Sequence, residues 1–194
     1  MIERQLSKVE FPVNSLIEQR RSKRSFLNKP VEQEKISSLF EAARWAPSSM
    51  NEQPWSYLYA TKDQGELWNK LFDTLMEGNK IWVKDAPLLV LSLARKSFER
   101  NDRTNTTAKY DLGGANAFLS LQATEMGLNV HQMGGYDAQK VRLDFNVPDH
   151  YEIGVIMAIG YPGDPEQLPE NLKQREVAPR RRKPQDEFVM NEVF

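Results

Sequence analysis

The spacing of hydrophobic positions predicts five helices along this chain of 194 residues. Between residues 31 and 46 the apolar side chains stand three and four positions apart, as in a helix that buries one face. These positions are Ile36, Leu39, Phe40 and Ala43. The other predicted helices span residues 14–20, 67–75, 108–126 and 137–145, with Asn14 and Asp137 as N-caps and Gly127 as a C-cap.

Apolar runs without helical spacing predict the strands of a sheet. Residues 86–93 are apolar almost throughout, which indicates a central strand that is buried on both faces. Further strands are predicted over residues 55–61, 128–133 and 153–161, and the polar residues 95–107 predict a mobile loop. Because helices and strands alternate without a G-x-G-x-x-G turn, the pattern favours a mixed α/β sandwich over a dinucleotide-binding Rossmann unit.

The predicted helix over residues 108–126 is apolar around much of its circumference and carries several small residues. Gly113, Gly114 and Ala117 would let a neighbouring backbone approach closely. This pattern fits a helix that packs between a sheet and a partner subunit. An interior helix of a monomer has the same pattern, so both interpretations stay open.

Composition and charge favour one domain in a reducing compartment. A chain of 194 residues with 40% hydrophobic residues can bury one core, so we expect a single domain over residues 1–194. The chain has no cysteine, which fits the cytoplasm and excludes disulfides and thiolate chemistry. Residues 1–12 lack an apolar signal core, and we expect no membrane association. The net charge of -1 disfavours a dedicated nucleic-acid binder.

The composition changes after Pro162. Residues 163–194 are polar, and five of the 11 prolines stand at or beyond Pro162. A segment of this kind becomes ordered only against another surface. We therefore expect an extended C-terminal tail that packs on a second subunit.

Residues 46–55 concentrate small hydroxyl and amide groups at the end of a predicted helix. Pro47 ends that helix, and Pro54 keeps the exit of the segment extended. Ser48, Ser49 and Asn51 lie between the prolines as pre-positioned polar groups. The segment predicts a binding loop for a ring-shaped ligand that is rich in heteroatoms.

Two basic clusters are candidates for an anion site. Residues 20–24 hold three arginines, a serine and a lysine, and residues 180–183 hold three arginines and a lysine. Arginine binds phosphate oxygens bidentately, and a serine hydroxyl adds a neutral donor. A solvated basic turn explains either cluster taken alone, and the second cluster also suggests nucleic acid or an acidic lipid surface. Neither of those rivals has supporting features, so convergence of both clusters on one phosphate is the more attractive hypothesis.

The pair Gly134-Gly135 follows a predicted strand and permits either positive φ or close approach of a ligand to the backbone. A simple turn has the same sequence. His131 and His150 do not stand in an H-E-x-x-H motif, and the chain has no G-x-S-x-G motif, which disfavours a metal site and a serine hydrolase. The remaining polar groups suit a phosphorylated aromatic cofactor that would carry out the chemistry.

In this order, four segments resemble the nitroreductase family of FMN-dependent oxidoreductases over almost the whole chain. They are residues 20–26, residues 46–55, Gly134-Gly135-Tyr136 and Arg182-Lys183-Pro184. The resemblance implies an α+β sandwich with a central mixed sheet flanked by helices. It also implies an intertwined homodimer with two FMN sites at the subunit interface and a C-terminal tail wrapped around the partner.

The resemblance implies a role for each residue of the site. Arg20 and Ser22 match residues at the phosphate and ribityl side of FMN, and Arg24 matches a basic residue at the pyrimidine edge. The backbone of Gly134 and Gly135 matches the segment beside the reactive N5. The implied cofactor-binding residues are Arg20, Arg21, Ser22, Arg24, Asn79, Met133, Gly134, Gly135, Arg180 and Arg182, together with Pro47, Ser48, Ser49 and Asn51 from the other subunit. No side chain is assigned a catalytic role.

The implied activity is ping-pong hydride transfer from NADH or NADPH to a nitroaromatic, a quinone or a related electron-poor acceptor. Two mobile segments, residues 78–84 and 95–107, would determine the choice of acceptor. Candidate aromatic walls, equally explained as packing, are Trp82, Phe98 and Tyr136. A flavin-binding protein with another flavin reaction or a sensing role is the alternative, and nucleic-acid binding through the basic clusters is a third hypothesis.

Overall fold

The computed structural model describes residues 9–193, which form seven α-helices and four β-strands. The helices are α1 (Ser15–Gln19), α2 (Gln33–Arg44), α3 (Glu66–Asp73), α4 (Glu77–Val83), α5 (Ala108–Glu125), α6 (Ala138–Asp144) and α7 (Glu170–Val177). The strands are β1 (Trp55–Thr61), β2 (Leu88–Arg95), β3 (Asn129–Met133) and β4 (Tyr151–Gly160). All five predicted helices and all four predicted strands are present.

The strands form one sheet in the order β1-β2-β4-β3, so β2 is central, as predicted. Each of the three pairings is antiparallel. The expectation of a mixed sheet is therefore wrong for the described residues. Strands β2 and β3 run in the same direction, but β4 lies between them and pairs with both in the opposite direction.

Side chains of β2 alternate between the two faces of the sheet, and both faces are covered. Leu88 and Val90 pack with residues of α2 and α5 on one face. Leu89 and Leu91 pack with residues of α3, α4, α6 and α7 on the other face. The described chain is therefore a three-layered α+β sandwich, which confirms the predicted fold class.

The predicted helix ends agree with the structure. The side chain of Asn14 accepts a hydrogen bond from the N–H of Leu16 at the start of α1. The side chain of Asp137 accepts one from the N–H of Lys140 at the start of α6. Gly127 has φ of 72° just after α5, the left-handed conformation that a helix C-terminus favours.

The sequence pattern misses α4. Residues 78–84, expected to be a mobile segment, lie almost wholly within this helix, where Trp82 and Val83 are buried. The segment is short and contains a glycine, so its apolar spacing is too brief to indicate a helix. Trp82 is 2% exposed and stacks on Phe26. Its side chain therefore packs in the core and does not form a wall of a substrate pocket.

The pattern also misses α7, which interrupts the tail expected to be extended. This helix packs on its own chain through Leu172 and Glu176, which are both buried. One of these two inward-facing residues is a carboxylate, so hydrophobic periodicity gives no signal for the helix. Residues 178–193 form no α-helix, and their packing on a partner subunit remains a prediction.

Residues 96–105 form a hydrogen-bonded hairpin. The N–H of Phe98 donates to the carbonyl of Arg103 at 2.8 Å, and the N–H of Asn105 donates to the carbonyl of Lys96 at 2.7 Å. The mobility expected for this segment stays a prediction.

Candidate functional site

The two basic clusters meet in the folded chain, as the sequence suggested. The guanidinium of Arg180 donates to the backbone carbonyls of Arg20, at 3.0 Å, and Glu18. The guanidinium of Arg21 donates to the carbonyl of Ala178 at 3.0 Å. Together they border an open cavity of about 250 Å³, lined by Arg20, Arg21, Ser22, Arg175, Ala178, Pro179, Arg180 and Arg182. We call these eight residues the arginine cradle.

Positive charge is crowded in the arginine cradle. Burial lowers the pKa of Arg20 below its usual value, and the nearby charges of Arg180, Arg182 and Arg21 lower it further. Burial also lowers the pKa of Arg180, with added repulsion from Arg21 and Arg182. The hydroxyl of Ser22 accepts a hydrogen bond from the Arg20 guanidinium at 3.2 Å. An anion of high charge density, such as a phosphate monoester, would relieve this repulsion and accept several donors at once.

Arg24 lies beside a buried aromatic cluster. Its guanidinium carbon is 6.0 Å from the centroid of the Trp82 ring, and the imidazole of His131 packs on the same indole at 4.6 Å. Nδ1 of His131 is 3.0 Å from the carbonyl of Lys23, to which it donates as a neutral imidazole. Burial first, and then the charge of Arg24, lower the pKa of His131 to about 4. The imidazole is therefore neutral near pH 7 and supports the backbone next to Arg24.

The glycine pair after β3 presents unused backbone donors. Within residues 9–193, the N–H groups of Gly134 and Gly135 donate no hydrogen bond. A Cβ on Gly134 would meet no atom within 4 Å, so the space beside that residue is open. A Cβ on Gly135 would lie 2.7 Å from Nδ2 of Asn79, which donates to the Gly135 carbonyl at 2.9 Å. Asn79 thus fixes the glycine pair, while the side chain of Met133 is buried in the core.

The loop before β1 has a strained backbone. Met50, Asn51 and Gln53 all have positive φ, between 53° and 56°. Such conformations are uncommon for residues other than glycine and cluster at binding sites. The hydroxyl of Ser48 holds the loop together by accepting the N–H of Gln53 at 2.9 Å.

A buried carboxylate anchors this loop to α5. Oδ2 of Asp111 accepts the N–H of Ser49 at 3.1 Å, and Asp111 is 4% exposed. Asp111 is not among the residues that the sequence motifs indicate. The available signal is an acidic residue in the first turn of an otherwise apolar helix, a position that is also favourable for helix stability alone.

The loop and the arginine cradle lie at opposite edges of the sheet in one chain. The loop continues into β1, while the cradle segment contacts β3 through Lys23 and His131. The order β1-β2-β4-β3 separates these edges by three strand spacings, or about 14 Å. Within residues 9–193, Ser48, Ser49 and Asn51 do not line the cavity that Arg20 borders.

One face of α5 is uncovered. A Cβ on Gly113 or Gly114 would meet no atom within 4 Å, and Ala117 on the same face is exposed. Tyr110 and Phe118 flank these small residues and are 84% and 41% exposed. The opposite face packs on the sheet and on α2. The interior-helix interpretation therefore does not hold within the described chain, and this small and apolar face suits a partner surface.

Two of the suggested aromatic walls take part in local contacts. The hydroxyl of Tyr136 donates to the carbonyl of Gly154 at 2.7 Å. The guanidinium carbon of Arg100 lies 5.5 Å from the centroid of the Phe98 ring.

No helix within residues 9–193 is long and apolar enough to cross a membrane. The same residues contain no group of three or more acidic or histidine side chains that could hold a metal ion.

The nitroreductase family model matches residues 17–81 and 71–161, which together make up more than half of the sequence. The chain therefore belongs to the nitroreductase family. One similar structure is described as an oxidoreductase containing FMN; it is 34% identical, has a TM-score of 0.91, and covers 96% of this chain and 95% of its own. A nitroreductase family protein of Clostridium difficile 630 is 26% identical with a TM-score of 0.70, covering 92% and 97%.

A relative from Rhodopseudomonas palustris (strain TIE-1) carries the provisional name NADH dehydrogenase/NAD(P)H nitroreductase. It is 26% identical over an alignment of 174 positions, and the match covers 80% of this chain and 87% of the relative. The matches to these relatives and structures extend over most of both chains.

Proposed function

We propose that this protein is an FMN-dependent oxidoreductase that uses NADH or NADPH to reduce nitroaromatics, quinones or related electron-poor acceptors. The observation that carries the proposal is the meeting of residues 20–22 with residues 178–182 in one cationic cradle, in a chain of the nitroreductase family. The 34% identical structure that contains FMN supports the choice of cofactor.

The donor set of the arginine cradle fits the phosphate of FMN. Arg20, Arg180 and Arg182 would bind the phosphate oxygens, and Arg21 adds charge at the same cavity. Ser22 would donate to the phosphate or ribityl oxygens. Burial and the like charge of Arg175 lower the pKa of Arg24, while the charge of Glu176 opposes the shift. A carbonyl-rich ring edge would be a favourable neighbour for this partly desolvated guanidinium.

The glycine pair would hold the reactive side of the ring. The free N–H groups of Gly134 and Gly135 can donate to a ring nitrogen, and the open space at Gly134 leaves room for a substrate. When bound, FMN supplies the hydride transfer, in a ping-pong sequence with donor and acceptor using the same place. The protein's part is to bind the phosphate, orient the ring and keep side chains away from its exposed face.

The complete site requires two chains. The uncovered face of α5 would form the centre of a homodimer, and the loop with Pro47, Ser48, Ser49 and Asn51 would reach the flavin held by the partner's cradle. Residues 178–193 would pack on the partner beyond the cradle. In this proposal residues 1–194 act as one domain, in the cytoplasm, without nucleic acid or membrane.

The test is to load the purified protein with FMN and add NADH or NADPH without oxygen. We expect a yellow protein whose flavin absorbance is bleached by one or both nicotinamides and restored by a quinone or nitroaromatic. A protein that takes up no added FMN would contradict the proposal. A bound flavin that neither nicotinamide reduces would instead favour a different flavin reaction.

A further inference from the structure

A buried carboxylate on α7 binds the backbone of the first basic cluster. Glu176 is 3% exposed, and both of its carboxylate oxygens accept the N–H of Arg24, at 2.9 and 3.0 Å. Oε1 also accepts the N–H of Ser25 at 3.1 Å. The two segments are about 150 positions apart in the sequence, so this contact exists only after α7 has docked.

Further hydrogen bonds connect the same two segments. Nζ of Lys23 donates to the backbone carbonyl of Glu176 at 3.3 Å. Beyond the helix, Ala178 accepts from Arg21, and Arg180 donates to the carbonyl of Arg20. Each of these contacts uses a backbone atom of one of the two segments, so together they fix the path of the chain beside the cavity.

Burial of a carboxylate carries a large desolvation penalty unless its oxygens are hydrogen-bonded. Packing α7 would need only an apolar residue at this position, one turn after Leu172, which already packs in the core. The carboxylate at position 176 instead satisfies two adjacent N–H groups that would otherwise be buried without a partner. These hydrogen bonds fix the backbone at residues 24 and 25.

We propose that Glu176 is a positioning residue for the cofactor site, which holds residues 20–25 in the conformation that places the cradle's arginines around the phosphate. This inference rests on the proposed function, since it assumes that the cradle binds FMN. A segment fixed before binding loses little conformational entropy when the ligand arrives, so its loosening should weaken the phosphate contacts in particular.

Riboflavin lacks the phosphate, so the ratio of the riboflavin Kd to the FMN Kd measures what the phosphate contributes. In Glu176→Gln one amide N–H would face the backbone donors, and we expect the FMN Kd to rise by about tenfold and the ratio to fall by at least about threefold. Glu170→Gln is the matched control, because Glu170 lies on the same helix, is exposed and accepts a hydrogen bond from the side chain of Gln174. This control should keep the parent ratio.

Other outcomes overturn the inference. Equal weakening of both flavins, with an unchanged ratio, would assign Glu176 a role in stability alone. A higher ratio would show that its negative charge opposes the phosphate and that positioning is secondary. If Glu176→Gln does not fold, Glu176→Asp, which keeps the charge but shortens the reach, is measured in the same way and should also lower the ratio.

Amide hydrogen exchange on the unmodified protein gives an independent reading. The N–H groups of Arg24 and Ser25 should exchange as slowly as the amides of α7, because the Glu176 carboxylate accepts both. Rapid exchange of these two amides would overturn the inference. A parent protein that binds no FMN would refute the proposed function instead, and the exchange rates would still test the contact.

Discussion

The guanidinium group of Arg20 has three like charges as neighbours. Its half-buried position and the proximity of Arg180, Arg182 and Arg21 lower its pKa, yet it stays charged at any physiological pH. Unrelieved crowding of this kind is unfavourable in the free protein. Binding a dianionic phosphate would convert the repulsion into charge-assisted hydrogen bonds, which is why the arginine cradle favours a phosphorylated ligand.

Replacing Arg20 by alanine should weaken FMN binding by roughly 10- to 100-fold, since a hydrogen bond to a charged group contributes about 1.5–3 kcal/mol. Fluorescence titration of the free protein with FMN measures the effect. Arg181→Ala is the matched control, because Arg181 belongs to the same basic run but does not line the cavity. Equal FMN affinity in the Arg20 and Arg181 variants would contradict the phosphate role of Arg20.

A second prediction at this scale concerns acid stability. The pKa of His131 is about 4 in the folded protein and near 6.5 when unfolded, so below pH 6.5 the unfolded state binds a proton that the folded state excludes. His131 should therefore remove about 2 kcal/mol of stability between pH 7 and pH 5. Urea unfolding at both pH values, at one protein concentration, measures this loss.

In His131→Gln the loss of stability between pH 7 and pH 5 should be smaller by about 2 kcal/mol. In His150→Gln, whose side chain is exposed, the loss should equal that of the parent protein. These two are the only histidines of the chain, so the pair is a matched comparison. If the loss of stability between pH 7 and pH 5 is the same in His131→Gln as in the parent, folding does not lower the pKa of this imidazole.

At the residue scale, sequence reasoning identifies groups whose side chains carry the chemistry. The convergence of Arg20 and Arg180 could be predicted because both belong to basic clusters, and arginine binds phosphate whatever its position in the sequence. Glu176 and Asp111 could not be predicted, because each accepts a backbone N–H from a distant segment. The partner of a buried carboxylate depends on the tertiary approach of that segment, which leaves no local spacing in the sequence.

At the scale of elements, the pairing of the two central strands, β2 and β4, contains a bulge. The register between β2 and β4 shifts between Leu91 and Leu93. Ser92 occupies the shift, where its hydroxyl donates to the carbonyl of Val155 and accepts the N–H of the same residue, both at 3.0 Å. The side chain thus replaces ladder hydrogen bonds that the bulge would otherwise remove.

Ser92→Ala should lower the free energy of unfolding by about 2–3 kcal/mol, because it leaves buried backbone groups of Val155 without partners. Chemical denaturation measures the change. Ser37→Ala, on the exposed side of α2, should change stability by less than about 0.5 kcal/mol. A Ser92 variant as stable as the Ser37 control would mean that water or a backbone adjustment satisfies the bulge.

Element prediction succeeded where local rules and burial agree. The strand Leu88–Arg95 and the helix Gln33–Arg44 have long, regular apolar patterns, and caps such as Asp137 depend only on neighbours in the sequence. The helices α4 and α7 were missed because tertiary contacts stabilise seven or eight residues whose own periodicity is weak. Whether neighbouring strands run parallel or antiparallel depends on which strand lies between two others. Hydrophobic periodicity does not specify that order.

At the scale of the whole molecule, the uncovered face of α5 is the surface on which the proposed homodimer would form. Placing a charge there should separate the proposed dimer, so Ala117→Glu should elute as a monomer in size-exclusion chromatography and should lose most of its FMN affinity. Gln139→Glu adds the same charge on the exposed side of α6, across the sheet, and should remain a dimer. A dimeric Ala117→Glu variant with normal FMN binding would place the interface elsewhere.

The central claim is that each FMN is bound by the arginine cradle of one chain and the loop of the other. Two variants, Arg20→Ala with Arg180→Ala and Ser48→Ala with Asn51→Ala, damage the two halves separately. Co-expression with different affinity tags yields mixed dimers that contain one chain of each kind.

The decisive measurement is the number of FMN molecules bound tightly per mixed dimer. If the halves come from different chains, one of the two sites combines the intact cradle with the intact loop, and about one FMN should bind per mixed dimer. If both halves come from the same chain, each site is damaged. A mixed dimer that binds FMN no better than either parent variant would contradict the account.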